Sequence, residues 1–365
     1  MKKFPVFKAG TVLNGISLAY LDKKKLECCL KSFSIDFPCR LDAMAIDPAN
    51  VTYNSNLFFT PGEVVISIKR YIKVKVKVLS PKGNILKIGA ETKRGVLVKH
   101  AYLLMCHLLN VAPSVEITVN DDDVLKHCGF GSSSSTLMAV AVAINELYGN
   151  PIKKQDLIKY ITSNHGEEVS DKNKNQLKAV QCIGGGANSG LNKEGILIVA
   201  GRACPIAKMK YKAKVIIGIP NDFVPKNAKY LMELEEKNLY KFERTGKKHA
   251  KHIAYHLLHK AIPEMVQGKI KELANIVFEY RFNMGSNKNC SFVFDRINDI
   301  SKGTRCLFEN GFCDFLALSS VGPAFFAIAS DTKQITKICD VFHRNNMHCI
   351  ITNICNTTYT IHKDV

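Results

Sequence analysis

The chain has 365 residues, 46% of them hydrophobic, with 13 cysteines and no tryptophan; it can bury a sizeable core, and its length allows two domains. Lysine and arginine number 51 against 32 aspartates and glutamates, a formal net charge of +19, which favours anionic partners such as nucleic acid, acidic lipid or phosphorylated metabolites. The odd cysteine count, the absence of any C-x-x-C pair and the lack of an apolar run near the roughly 18 residues of a membrane span argue against a disulfide scaffold, a thiolate zinc clamp and a transmembrane helix.

The start, MKKFPVFKAGTVLNG, has no apolar stretch of signal-peptide length, so a cytoplasmic protein with reduced thiols is expected. Residues 64–78, VVISIKRYIKVKVKV, alternate apolar and basic side chains with period two, which predicts a half-buried strand whose lysines face water. A turn at 80–84 leads to helical spacing over 93–111, and SVEITVN at 114–120 returns to strand alternation. Residues 137–144 are apolar on nearly every face, so the helix they form must be buried. Another helix is expected over 150–161 with Pro151 in its first turn, then a glycine-rich loop at 180–192, a short strand within 195–203 and a strand KVIIGIP from Lys214. Helical segments through 244–282, a strand, glycine turn and strand over 314–330, and a closing helix and strand complete the chain. Strands and helices interleave without a strict βαβ rhythm, which predicts an α+β fold in two lobes with a boundary near residue 205.

The chemistry concentrates in HCGFGSSSSTLMAVAVAINELYG, residues 127–149. A helix start offers unpaired N–H groups and the positive end of its dipole, so an anion is stabilised there without a charged side chain. Gly129 and Gly131 let the backbone approach a ligand closely, and Ser132, Ser133, Ser134 and Ser135 add hydroxyls for phosphate oxygens, with Ser133 the candidate ligand of a Mg²⁺ ion. One serine suffices to cap a helix; two glycines and four hydroxyls exceed that need. The loop lacks the spacing and lysine of a Walker A motif. His249, His252, His256 and His259 recur at helical spacing and share one face, which reads as a partly exposed stripe or as a transition-metal site.

The serine loop and its helix resemble the phosphate loop of the GHMP superfamily, the galactokinase, homoserine kinase and mevalonate kinase group, and LSSVGPAFFAI at 318–328 is similar to that superfamily's late glycine turn. The resemblance implies an N-terminal ribosomal-protein-like lobe (32–204) after an extension (1–31), a C-terminal ferredoxin-like lobe (205–365), and an active site between them. It adds Ser319, Ser320 and Gly322 to the phosphate site, and Gly185, Gly186, Asn188, Ser189 and Arg202 to the substrate site. The kinase members carry an aspartate at the end of the glycine-rich loop, where this chain has Leu191 or Asn192, so a kinase would need a base from elsewhere. Glu167, Glu168 and Asp171 are the nearest carboxylates in sequence, and they read as solvent-exposed loop charges.

A narrower resemblance rests on CRLDAMAID (39–47), GILIVAG (195–201), LLHKAIPEMVQGKIKELANIV (257–277) and LSSVGPAFFAI. These segments look like beta-ribofuranosylaminobenzene 5′-phosphate synthase, a non-kinase branch. This likeness implies condensation of phosphoribosyl pyrophosphate with an aromatic or heteroaromatic acid, forming a C–C bond with loss of pyrophosphate and CO₂. Asp47 would then face the cationic sugar and Arg40 would hold a carboxylate or phosphate, unless the two simply pair with each other. The chain departs from that branch at Asp42, where a histidine stands, and at Ala200 and Arg202, where VDGG becomes VAGR. The alternative is an ATP-dependent small-molecule kinase of GHMP type. Expected partners are therefore phosphoribosyl pyrophosphate or a nucleotide, Mg²⁺ and a small acidic acceptor, with a homodimer allowed and neither a membrane nor nucleic acid.

Overall fold

The structure, a computed structural model, describes residues 6–11, 26–46, 62–168, 176–179, 182–201 and 203–363. Its spine is the 19-residue strand Gly62–Ser80. The second half of that strand alternates as its sequence predicts, with Lys73, Lys75 and Lys77 exposed between buried Ile72, Val74 and Val76, whereas residues 62–68 are buried on both faces. The difference follows from what covers each half. Ser32–Ile46 pairs antiparallel along nearly the whole strand, Ser114–Asn120 joins the lysine half, and Ile196–Ala200 joins the buried half. Leu86–Ile88, parallel to Ser114–Asn120, forms one edge, and Cys204–Met209 extends the sheet beyond Ile196–Ala200.

Two helices pack in this lobe, Gly95–Leu109 and Ser132–Leu147. Every residue from Ser134 to Asn145 in the second is buried, as its unbroken apolar run requires. A second, four-stranded antiparallel sheet holds Phe315–Leu318, Phe325–Ala329, Lys214–Pro220 and Met347–Asn353 in that order. Its own apolar cluster includes Ile216, Leu316, Phe325 and Phe342. The whole is the mixed α+β architecture expected, and a small third sheet holds Val6–Lys8, Gln176–Ala179 and Gly166–Glu168 in that order. The chain then returns: Thr360–Lys363 pairs antiparallel with Ser32–Ile46 and forms the other edge of the first sheet.

Several local expectations are corrected. The helix predicted over 150–161 begins at Lys154, and Pro151 lies ahead of it. Asn145 holds the intervening chain extended by accepting from Ile152 N and donating to Ile152 O, both at 3.1 Å. The glycine-rich loop contains a helical turn, Gly185–Ser189. The helical region is longer than expected and starts with the 29-residue helix Ala228–His256, capped by the Asn227 side chain on Tyr230 N. Val6–Lys8, in the supposed extension, pairs with Gln176–Ala179. Among the described residues no helix is long and apolar enough to cross a membrane, and none of the cysteines is in a disulfide.

Candidate active site

The serine loop closes on a framework of backbone bonds. Gly131 adopts left-handed backbone (φ +64°) immediately before the helix Ser132–Leu147. Gly129 (φ +90°) lies so close to the late turn that a Cβ would sit 2.5 Å from the Ser319 carbonyl oxygen, a position that any other residue would strain. Ser319 Oγ donates to Gly129 O at 2.7 Å and accepts from Asp42 N at 3.0 Å, while Ser320 N donates to Asp42 O at 2.8 Å. The two sequence motifs, 190 residues apart, are therefore joined directly by the Ser319 hydroxyl, and Asp42 holds the late turn in place. Arg40 Nη1 donates to Gly129 O at 3.1 Å.

Arg281, 2% exposed, locks the same corner. Its guanidinium donates to Ala43 O (2.6 Å), Asp42 O (3.0 Å) and Ser320 O (3.0 Å). It is a positioning residue, bonded mainly to backbone carbonyls.

A cavity of about 260 Å³ opens beside this framework. Its walls come from the serine loop, the turn Gly184–Gly186, Arg40 and Asp42 on one central strand, Glu63 on the next, the start of the long helix, and Ser320–Gly322. The two glycine-bearing loops touch, since a Cβ on Gly186 would lie 2.0 Å from Ser134 Oγ. Next to that contact Gly185 N donates to the Glu63 carboxylate.

Two carboxylates thus stand buried at the cavity wall: Asp42 is 3% and Glu63 4% exposed. Burial, reinforced by the negative charge of Asp42, pushes the Glu63 carboxyl up to about 7, against the opposing pull of Arg40 and the Gly185 amide. Asp42 Oδ1 and Arg40 Nε have no hydrogen-bond partner among the described residues. Both atoms are themselves buried, so the wall carries uncompensated polarity behind the cavity surface.

On the opposite side Arg94, 3% exposed, pairs with Glu167 and with Glu168 (2.8 Å), and donates to Ser132 Oγ at 3.3 Å. Glu167 faces Ser133, and although burial opposes it, Arg94 and then His165 hold its carboxyl below the usual value. Burial lowers His165 to about 4, so it is neutral at pH 7. Glu235 on the long helix also lines the cavity, its carboxyl raised to about 7 by burial and then by Glu167.

The sequence candidates divide accordingly. Gly129, Gly131, Ser132, Ser133, Ser134, Ser320, Gly322, Gly185, Gly186 and Arg40 line one cavity. Ser135 is fully buried in the helix, and Ser319 is committed to the bonds just described. Asn188 and Ser189 are corrected as substrate contacts. They do not line the cavity, because Asn188 Nδ2 donates to Gly184 O and Ala203 O, and Ser189 Oγ donates to Pro38 O and Gly186 O. Asp47, Arg202 and Asp171 lie outside the described residues. Glu167 and Glu168 are not solvated loop charges, because Arg94 draws them in, and Glu167 is only 14% exposed. The histidine stripe brings no metal cluster together among the described residues; His256 instead faces Glu272 at 3.0 Å. The sequence reading missed Glu63, Arg94, Glu235 and Arg281. Glu63 had one signal, a lone charge at the head of a strand that continues with Val64, Val65 and Ile66.

Residues 96–179 match the GHMP kinases N terminal domain. The whole chain shares its fold with solved structures of low identity. Homoserine kinase from Cytophaga hutchinsonii superposes with a TM-score of 0.61 at 13% identity, covering 93% of this chain and 100% of that one. Mevalonate diphosphate decarboxylase from Staphylococcus aureus gives 0.61 at 14%, covering 91% and 98%, and L. major mevalonate kinase in complex with R-mevalonate gives 0.55 at 13%, covering 92% and 100%. No curated protein matches the chain by sequence. The protein thus has a GHMP-kinase-like fold, and its residues 96–179 are similar to the GHMP kinases N terminal domain.

Proposed function

We propose that the protein is a transferase that moves a phosphoryl group from a nucleoside triphosphate to the hydroxyl of a small acceptor held between the serine loop and the Asp42–Glu63 pair. The observation that carries this reading is Glu63: a buried carboxyl raised to about 7, one glycine away from the loop built for anions. A general base works best when its pKa lies near the working pH, and Glu63 supplies the base that the end of the glycine-rich loop lacks. At that loop's end Asn192 is buried, accepting from Lys154 Nζ and donating to Asn188 O.

The polyphosphate would lie across the backbone amides at the start of the helix Ser132–Leu147, with Ser133 and Ser134 hydroxyls on its oxygens. Glu63 takes the acceptor proton as the acceptor oxygen attacks the terminal phosphorus. The bond to the bridging oxygen breaks, and the diphosphate departs. The Arg40 guanidinium, which lines the cavity, holds an anionic group, either on the transferring phosphate or on the acceptor. Ser133 and Glu167 are oxygen donors facing each other at the loop, and they fit a Mg²⁺ ion, which when bound neutralises charge on the phosphates.

A second reading, transfer of a phosphoribosyl group from phosphoribosyl pyrophosphate to an aromatic acid, is favoured by one specific observation. Asp42 and Glu63 form a buried carboxyl pair beside the anion cradle, and the carbocation-like sugar of that reaction would draw on the negative charge of such a pair. Calorimetry on the full chain with Mg²⁺ and either ATP or phosphoribosyl pyrophosphate separates the readings. The kinase reading expects ATP to bind and a hydroxyl-bearing metabolite library to release ADP. Binding of phosphoribosyl pyrophosphate alone, with pyrophosphate release in the presence of aromatic acids, overturns it in favour of the second. Absence of binding by either compound rejects both.

A further inference from the structure

A second cavity, of about 910 Å³, opens at the other end of the glycine-rich segment, where Leu191 and Lys193 line it instead of Gly184–Gly186. Its floor includes the buried side chains of Ile152, Leu157 and Leu191. Around that floor stand four lysines from three separate stretches of chain: Lys153 and Lys154 at the start of the helix Lys154–Ser163, Lys193 beyond the glycine segment, and Lys208 in the strand Cys204–Met209. Among the described lining residues Glu194 is the one carboxylate, 3.8 Å from Lys208. Lys154, Lys193 and Lys208 less Glu194 leave a charge of +2 among these residues.

A basic rim over an apolar floor differs from an ordinary solvated lysine face, because three segments bring their ammonium groups together against mutual repulsion. Burial, then the nearby Lys208, lowers the pKa of Lys154. Thr357, Thr358, Tyr359 and Thr360 complete the wall. Lys154 Nζ donates to Asn192 Oδ1 at 3.1 Å, and Asn192 donates to Asn188 O at 2.8 Å. The cavity is therefore tied by two hydrogen bonds to the helical turn whose glycines wall the first cavity. None of this belongs to the phosphate loop, which lies at the opposite end of the helix Ser132–Leu147.

We propose that this second cavity is a binding site for a small phosphate ester with an apolar body, its dianionic phosphate held by Lys154, Lys193 and Lys208 and its body on the Ile152–Leu157–Leu191 floor. Nothing in this inference depends on which reaction the first cavity performs.

Pyridoxal 5′-phosphate is a suitable probe, a dianionic phosphate on an apolar ring whose aldehyde condenses with an amine, expelling water to form an imine. Hydride from borohydride, followed by a proton, fixes the adduct as a secondary amine. The full chain is titrated with the probe at neutral pH, reduced, digested and mapped by mass spectrometry. Saturation near one equivalent with the label on Lys154 or its cavity neighbours is expected, and the Lys193→Glu/Lys208→Glu variant should raise the half-saturating concentration about tenfold or more. Both lysines are exposed, so the variant should unfold at the same temperature as the parent. Label spread evenly over surface lysines, label confined to Lys178 of the first cavity, or an unchanged half-saturating concentration in the variant would each overturn the assignment.

Discussion

Replacing Glu63 by glutamine should make the protein more stable and less active at once. Glutamine keeps a side-chain carbonyl for Gly185 N and removes the ionisable group. The folded carboxyl titrates at about 7 against an ordinary value of 4.5, so between those pH values the folded state holds a proton that the unfolded state has released. Stability therefore falls as pH rises through that window and levels off above it. The shift corresponds to a penalty of order 3 kcal/mol at pH 8. Glu63→Gln should accordingly be more stable than the parent by up to about 3 kcal/mol at pH 8, and equal to it near pH 4.5. Loss of the base should lower turnover by about 10²–10⁴-fold and abolish the limb of the rate profile that rises through pH 7, while ATP affinity stays unchanged. Denaturant melts at pH 5 and pH 8, paired with turnover once a substrate is in hand, test both halves. A stability difference that is the same at the two pH values would refute the buried-carboxyl reasoning, and retained turnover would refute the role of Glu63.

Asp42→Asn removes a charge that raises the Glu63 pKa, so the rising limb of the pH–rate profile should move to lower pH; a shift the other way contradicts the coupling. Ser133→Ala with Ser134→Ala should weaken polyphosphate ligands by about tenfold or more in calorimetry, with the fold intact because the buried helix still starts there. Arg281→Met strands the carbonyls of Ala43, Asp42 and Ser320, and should cost about 3–5 kcal/mol in a denaturant melt. Gly129→Ala places a Cβ 2.5 Å from the Ser319 oxygen at φ +90°, so a loss of about 1–3 kcal/mol or more is expected, together with weaker anion binding.

The elements that periodicity dictates were legible in the sequence. The lysine-striped strand, the all-apolar helix and the strand–turn–strand near 320 need only a count of which positions face inward. The serine loop was legible too, because glycines and hydroxyls ahead of a buried helix are local features. What resisted reading is what the fold assembles from a distance. Arg94 meets Glu167 across 73 residues, and the bond turns what looks like a solvated loop charge into a cavity wall. Glu63 and Asp42 acquire their chemistry from each other and from burial, neither of which a single strand sequence displays. Asn188 and Ser189, by contrast, look like substrate contacts in a glycine-rich loop, yet their side chains are consumed in holding that loop's own turn.

The strand Thr360–Lys363, which forms one edge of the first sheet, sets an order of events in synthesis. The ribosome delivers Ser32–Ile46 early and its outer neighbour after the entire second lobe, so during that interval a row of backbone donors and acceptors stays available to any extended chain nearby. A nascent polypeptide of this protein is then most prone to mispairing between copies until Thr360–Lys363 has emerged, and slowing translation over the second lobe should lengthen its dependence on chaperones.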